Sequence, residues 1–333
     1  MSKPQQAKMI AAKQFELRDF EPIMPTDSQV MMSVISCGIC SSEIPVFDGS
    51  VIGTPGVSFR YRDYPADLGH EVVGTVEAVG SQVKDFKKGD IVTGLTYSGC
   101  GFATHFTEEA ISLVKVPKSW HKDAKYAVGE PLMATVNIIE QMEPQFGDTV
   151  LIVGDGFMSL LLVAALKKYT LNKLIVLGHH DERLALAKKL GASDVLNTKD
   201  ANGWEFVMDL TSGVGVNISV EYAGNVNSLQ LAASLTKAKS RSKLVLAAAY
   251  DNDMPFTIGN YLQNRAPVII PAYPNHSKDK VADLRKAMWA LDAGIFPMKE
   301  LITDEYALGD VARGYQELID RKPGYIKGIV TLV

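Results

Sequence analysis

From residue 147 to residue 272 the chain repeats one pattern, a short apolar run followed by a turn and a helical segment. "TVLIVGDG" leads to "FMSLLLVAALKKY", "LNKLIVLG" to "ERLALAKKLGA", "DVLN" to "WEFVMDLT" and "NISVEYAG" to "NSLQLAASLTK"; "SKLVLAAAY" and "APVIIPAY" close the series. The runs are apolar throughout rather than at every second residue, which is the pattern of strands buried on both faces. Alternated with amphipathic helices, such strands predict a parallel sheet with helices on both sides, a doubly wound α/β domain.

The rest of the chain has a different texture. Residues 8 to 115 consist of short β-branched stretches ("QVMMSVIS", "EVVGTVEAVG", "DIVTGLTYSG", "ISLVKVP") cut by Gly and Asp turns, the pattern of short strands. The last sixty residues read as two helical segments, "VADLRKAMWALDAGI" and "LGDVARGYQELIDR", and a final strand "YIKGIVTLV". That strand has no strand neighbour nearby in sequence, so it is expected to return to the N-terminal β region. A length of 333 residues also exceeds what one core comfortably serves. The expected division is a discontinuous β-rich domain, 1–130 with 273–333, and a doubly wound domain, 131–272.

Composition narrows the function classes. Hydrophobic content of 47% and charged content of 22% are ordinary for a soluble globular chain. A formal charge of −4 leaves no basic excess for phosphates, so neither nucleic acid nor an anionic membrane is an expected partner, and a small molecule is. The N-terminus lacks a charged start followed by an apolar core, and the apolar run 157–166 falls far short of the roughly 18 residues that span a bilayer. A cytoplasmic location is expected. Cys37, Cys40 and Cys100 cannot build a disulfide framework.

Gly154, Gly156 and Ser159 occupy the three marked positions of G-x-G-x-x-G, after a strand and at the opening of a helix. Gly154 permits a tight turn, Gly156 lets backbone approach a pyrophosphate, and the helix N-terminus favours the anion. Ser159 replaces the third glycine and is small enough for close helix packing. An acid that would accept hydrogen bonds from the adenosine ribose is expected about 24 positions past Gly154, where the chain has Gly178. Glycine followed by His179, His180 and Arg183 leaves space and donors for a 2′-phosphate, which tilts the expectation towards NADP(H) among the NAD(P) cofactors. Asp181 offers two other readings: it N-caps the following helix, or it reaches the ribose and NAD(H) is used.

"SCGICSSEI", residues 36 to 44, sets two cysteines three apart. A four-cysteine structural zinc site would need a second pair, and only Cys100 remains. A redox pair belongs at a helix N-terminus beside a βαβ pattern, whereas this one lies in the β-rich region. "GICSSE", "GHEVVGTVEAVG", "KKGDIV" and "GDTVLIVGDG", with "RLALAKKLGA" and "YIKGIVTLV", resemble the medium-chain zinc-dependent alcohol and polyol dehydrogenases over nearly the whole chain. The resemblance implies a GroES-like catalytic domain and a Rossmann-type cofactor domain.

Carried over by position, the resemblance makes Cys40 of G-I-C and His70 of G-H-E the first two zinc ligands. Glu71 is either a direct ligand or a carboxylate that exchanges with one, and Glu130 of "VGEPLMATVN" matches the third ligand position, with E-P-L resembling the sorbitol and polyol branch. Without that context His70 would read as a satisfied histidine, Glu130 as a helix cap and Ser42 as a turn serine. Ser42 matches the position whose hydroxyl relays the substrate's proton, and Cys37 reads as packing. No cysteine cluster stands for a second, structural zinc, so one zinc per chain is expected.

The activity implied is hydride transfer between NAD(P) and a secondary alcohol or its ketone, with zinc as Lewis acid. A polyol, sugar alcohol or cyclitol is the expected substrate, with Ser42, Tyr97, Phe102 and Trp120 as candidate lining residues. The apolar segment "NRAPVIIPAY" is expected to pair across a twofold axis in a homodimer or homotetramer. Two other functions fit parts of the chain: a zinc-free quinone or enoyl reductase, and a dinucleotide-binding protein without turnover.

Overall fold

The computed structural model describes residues 3–52, 63–96, 100–250, 255–256 and 260–332. The chain divides into two compact units, Met1–Met133 with Val281–Val333, and Ala134–Lys280.

The first unit opens with the antiparallel pair β1 (Gln5–Ala11) and β2 (Gln14–Asp19). There follow β3 (Gln29–Gly38), β4 (Glu71–Val79), β5 (Ile91–Leu95), β6 (His105–Glu109) and β7 (Leu113–Lys115). A one-turn helix α1 (Ile44–Phe47) lies between β3 and β4, and α2 (Gly129–Met142) runs from this unit into the next.

The second unit carries β8 (Thr149–Val153), β9 (Lys173–Gly178), β10 (Asp194–Asn197), β11 (Ile218–Glu221), β12 (Lys243–Leu246) and β13 (Val268–Pro271). All are parallel, in the order β10-β9-β8-β11-β12-β13. Counted within the unit this is 3-2-1-4-5-6, the Rossmann order, whose ligands bind beyond the strand C-termini where the order reverses. The helices α3 (Phe157–Leu166), α4 (Asp181–Leu190), α5 (Gly203–Leu210) and α6 (Val226–Ser234) follow β8, β9, β10 and β11.

The sequence patterns account for these elements. Every residue of β8 is buried, as its continuous apolar run requires. α3 departs from the expected amphipathic helix: with no charged residue in ten it is buried nearly all round. α4 has the expected stripe, with Leu184 and Ala187 inward, acids in the first turn, lysines in the last, and Gly191 at φ +131° ending it.

The chain then re-enters the first unit, where β14 (Asp304–Ala307) pairs with β15 (Gly328–Thr331) and β15 lies antiparallel on β3. The sheet order is β14-β15-β3-β4-β5-β7, with β6 also on β3. The expected return of the last strand is thus observed. Its register matters for function: Gly38 is opposite Ile329 on one side and Glu71 on the other. Three segments distant in sequence therefore end at one corner. Beneath it the core stacks Phe47 and Phe15 on Tyr315, with Phe102 edge-on.

Candidate metal centre and dinucleotide site

At that corner the chain leaves β3 through Ile39 and Cys40, enters β4 through His70 and Glu71, and enters β15 through Lys327. The Cys40 sulfur, a His70 ring nitrogen and a Glu71 carboxylate oxygen lie within 4.8 Å of one another, the one such group among the described residues. Glu71 is 1% exposed and held by Lys327, whose Nζ is 2.7 Å from its carboxylate and also donates to the Ile39 carbonyl at 2.9 Å. Room for that carboxylate exists only because residue 38 is glycine: a Cβ there would sit 1.7 Å from Glu71 Oε2.

His70 is held from its other side. Its Nδ1 lies 3.0 Å from Glu43 Oε1, which also accepts the Gly69 N–H at 2.9 Å, while the Tyr315 hydroxyl donates to Glu43 Oε2 at 2.5 Å. With Nδ1 so engaged, Nε2 is the nitrogen left for a metal, and a carboxylate behind a ligating histidine fixes ring orientation and tautomer. Burial pushes the Glu43 carboxyl up, but His70 and the hydrogen bonds from His70, Tyr315 and Gly69 outweigh it and bring it to about 2. Burial would lower the His70 pKa, yet Glu43 and the Cys40 sulfur raise it well above its ordinary value.

The donor set fits zinc. A sulfur, an imidazole nitrogen and a carboxylate oxygen are its usual ligands, and three of them leave a fourth tetrahedral position open. Glu130, in the first turn of α2, is outside the close trio but feels the same charges: burial raises its pKa, His70 and Lys327 lower it, and Glu71 raises it. Ser42, exposed on a 3-10 turn, donates from Oγ to the Cys40 sulfur at 3.2 Å.

The remaining residues separate cleanly. Cys37 is fully buried in β3 and Cys100 is buried with its thiol towards the Ala7 and Leu68 carbonyls, so both pack. Phe102 is also fully buried, against Tyr315, because its ring completes the core; the expectation that it lines a substrate is corrected. Trp120 is tied through Nε1 to the Leu291 carbonyl, and Tyr97 lies outside the described residues.

In the second unit Gly154 adopts φ +125°, a conformation that favours glycine, between β8 and α3. Gly156 N-caps α3, and a Cβ there would meet nothing within 4 Å, so the backbone is open at the helix start. Ser159 is buried within α3. Gly178 ends β9, His180 N-caps α4, and Arg183 lies in its first turn. Asp181 is therefore not the cap but the first helical residue, and it accepts a hydrogen bond from Asn197 Nδ2 at 2.8 Å.

The sequence motifs do not name Glu43, Tyr315, Lys327 or Asp155. Glu43 had a signal, a carboxylate three residues past a candidate ligand; the Tyr315 and Lys327 contacts span 272 and 256 residues, which no spacing reveals.

A parallel dinucleotide-type sheet joined to a β-rich unit that bears a Cys/His/Glu metal corner defines a metal-dependent dehydrogenase. Comparison with known proteins agrees. Residues 26–127 match the alcohol dehydrogenase GroES-like domain family, and residues 158–287 match the zinc-binding dehydrogenase family. The chain is 27% identical to the sorbitol dehydrogenase of Bacillus subtilis (strain 168), over 91% of this chain and 90% of that one. Among solved structures, an Escherichia coli oxidoreductase/dehydrogenase of unknown specificity superposes with TM-score 0.87 over 100% of both chains at 22% identity. A putative zinc-binding dehydrogenase of Sinorhizobium meliloti 1021, bound to NADP, superposes with TM-score 0.85 over 100% of both at 19% identity.

The chain belongs to the medium-chain zinc-dependent alcohol and polyol dehydrogenases, enzymes that use zinc and NAD(P).

Proposed function

We propose that the chain interconverts a polyol, sugar alcohol or cyclitol and its ketone, with NADP(H) somewhat preferred to NAD(H). The observation that carries the reading is the Cys40, His70 and Glu71 trio with Ser42 beside it. A zinc-free quinone or enoyl reductase would have no use for that trio. The name of the Bacillus subtilis relative supports the substrate class, and the NADP-bound structure supports the cofactor.

Cys40 and His70 hold the metal, with Glu71 or Glu130 as the third protein ligand. When bound, zinc supplies Lewis acidity that lets an alcohol ionise near neutral pH, and the nicotinamide supplies the hydride acceptor. Glu43 and Tyr315 keep His70 in one orientation. The Ser42 Oγ, now pointing at the Cys40 sulfur, turns to take the substrate's hydroxyl proton and passes it towards solvent. Gly154 and Gly156 bring backbone N–H groups to the pyrophosphate at the start of α3, and Ser159 lets that helix pack closely. Gly178 with His179, His180 and Arg183 receives the adenosine ribose and its 2′-phosphate.

β13 is the edge of its sheet and shows Val268 and Ile269 to solvent, which supports pairing between copies in a homodimer or homotetramer. No helix among the described residues is long and apolar enough to cross a membrane.

A panel of polyols and their ketones, run with both cofactors alongside zinc analysis, tests the reading. Turnover of at least one polyol with stoichiometric zinc is expected. Activity on quinones or enoyl substrates that survives complete zinc removal would overturn it.

A further inference from the structure

One buried acid lies inside the dinucleotide turn itself. Asp155 stands between Gly154 and Gly156, and its side chain is 8% exposed. Its Oδ2 accepts the backbone N–H of both His179 and His180 at 2.8 Å. His180 Nδ1 lies 3.1 Å from each carboxylate oxygen, and an Arg183 guanidinium nitrogen lies 3.8 Å from Oδ1. The donors at the start of the loop after β9 thus converge on one carboxylate that comes from the turn after β8.

Gly178 belongs to the same arrangement. A Cβ at residue 178 would lie 2.5 Å from Asp155 Oδ2 and 2.6 Å from its Cβ. A side chain at 178 and the carboxylate of residue 155 exclude each other. The acid expected at the end of β9 is therefore replaced: negative charge reaches that corner from β8 instead.

We propose that Asp155 is a positioning residue that sets cofactor preference, engaging His180 and Arg183 and so limiting how far the corner favours a 2′-phosphate over a free ribose hydroxyl. The proposal rests on the reading that residues 178–183 receive the adenosine ribose of NAD(P). A 2′-phosphate carries roughly two negative charges and needs the guanidinium and imidazole that Asp155 already engages. It must compete for them and tolerate a neighbouring carboxylate. A free 2′-hydroxyl meets no such opposition and can itself donate to a carboxylate. Asp155 therefore works against the pull of Gly178, His180 and Arg183, and keeps NAD(H) usable.

Calorimetric titration of the zinc-loaded protein with NAD+ and with NADP+ tests this on wild type, Asp155→Asn, Asp155→Ser, Arg183→Ala and Asp155→Ala/Gly178→Asp. Asp155→Asn keeps the shape and an acceptor for the two N–H groups while removing the charge; Asp155→Ser removes the charge independently should the first variant fail to fold. Both are expected to raise the ratio Kd(NAD+)/Kd(NADP+) at least tenfold. The double variant, which returns a carboxylate from β9, should bring the ratio back to the wild-type value or below. If Arg183→Ala and the Asp155 variants leave both affinities unchanged, the adenosine end does not bind here and the underlying reading fails. If Arg183→Ala weakens NADP+ but the Asp155 variants leave the ratio within twofold, or lower it, the proposal itself is overturned. An Asp155 variant that melts like wild type yet binds neither cofactor overturns it as well, since Asp155 would then only support the loop.

Discussion

The metal corner and the dinucleotide corner are built by opposite means. Residues 154 to 183 form the second from two consecutive strand-turn-helix units, and its contacts reach across about one βα repeat. The first joins Glu43 to Tyr315 and Glu71 to Lys327, across 272 and 256 residues, with buried charges facing one another. A locally built site tolerates change one contact at a time, whereas a site made of buried, mutually dependent charges does not.

Metal removal should separate the two corners most. Chelation is expected to reduce turnover to background while NAD(P)+ affinity, measured by calorimetry, stays within a few-fold. The pH dependence has a definite sign. Glu43 is depressed from 4.5 to about 2, so its contribution to stability is present above about 4.5 and lost as pH falls towards 2. His70 is raised above 6.5, so its contribution is complete below 6.5 and lost as pH rises through the raised value. The chelated protein should therefore melt at progressively lower temperature above pH 6.5. Zinc requires His70 without its proton, so the gain in Tm on adding zinc should grow over the same range. A zinc-induced gain that shrinks with rising pH would break the contrast.

Next in size, Lys327→Met leaves Glu71 buried without its cation and should cost about 3–5 kcal/mol in denaturant unfolding of the first unit. Adding Glu71→Gln should recover part of that loss. Gly38→Ala forces a methyl into the Glu71 carboxylate and should cost about 3 kcal/mol with loss of bound zinc, read by metal analysis. Tyr315→Phe keeps the aromatic stack and removes one hydrogen bond from Glu43; zinc affinity should fall on the order of tenfold in a chelator competition. The smallest effect belongs to the second unit. Asn202 caps α5 by accepting from the Trp204 and Glu205 N–H groups, so Asn202→Ala should cost about 1 kcal/mol and leave zinc content unchanged.

The same contrast explains what could be read from the sequence. The doubly wound unit is legible because each βα repeat states its own strand, turn and helix, and Gly154 and Gly178 fall where a positive φ or a close neighbour requires glycine. Cys40, His70 and Glu71 could be named through their motifs. Their supports could not, since Tyr315 and Lys327 read as ordinary residues of a helix and a strand entrance until the fold brings them to Glu43 and Glu71. The place of Phe102 is illegible for a related reason: an aromatic in a loop-like segment gives no sign of which way it points, and here it fills the core. Asp155 carries no signal in the sequence because a motif written G-x-G leaves its middle residue unspecified.

The return of β15 to β3 also sets an order of assembly. Residues 134–280 are contiguous and can close as soon as they are synthesised, whereas the first unit must wait for Tyr315, Lys327 and β15, which come last. Until then Glu43 lacks the Tyr315 hydrogen bond, Glu71 lacks the Lys327 ammonium, and Gly38 has one strand neighbour fewer. The supports of the metal corner are therefore completed only when residues 315–331 are in place, whereas the dinucleotide turn needs nothing beyond its own βα units.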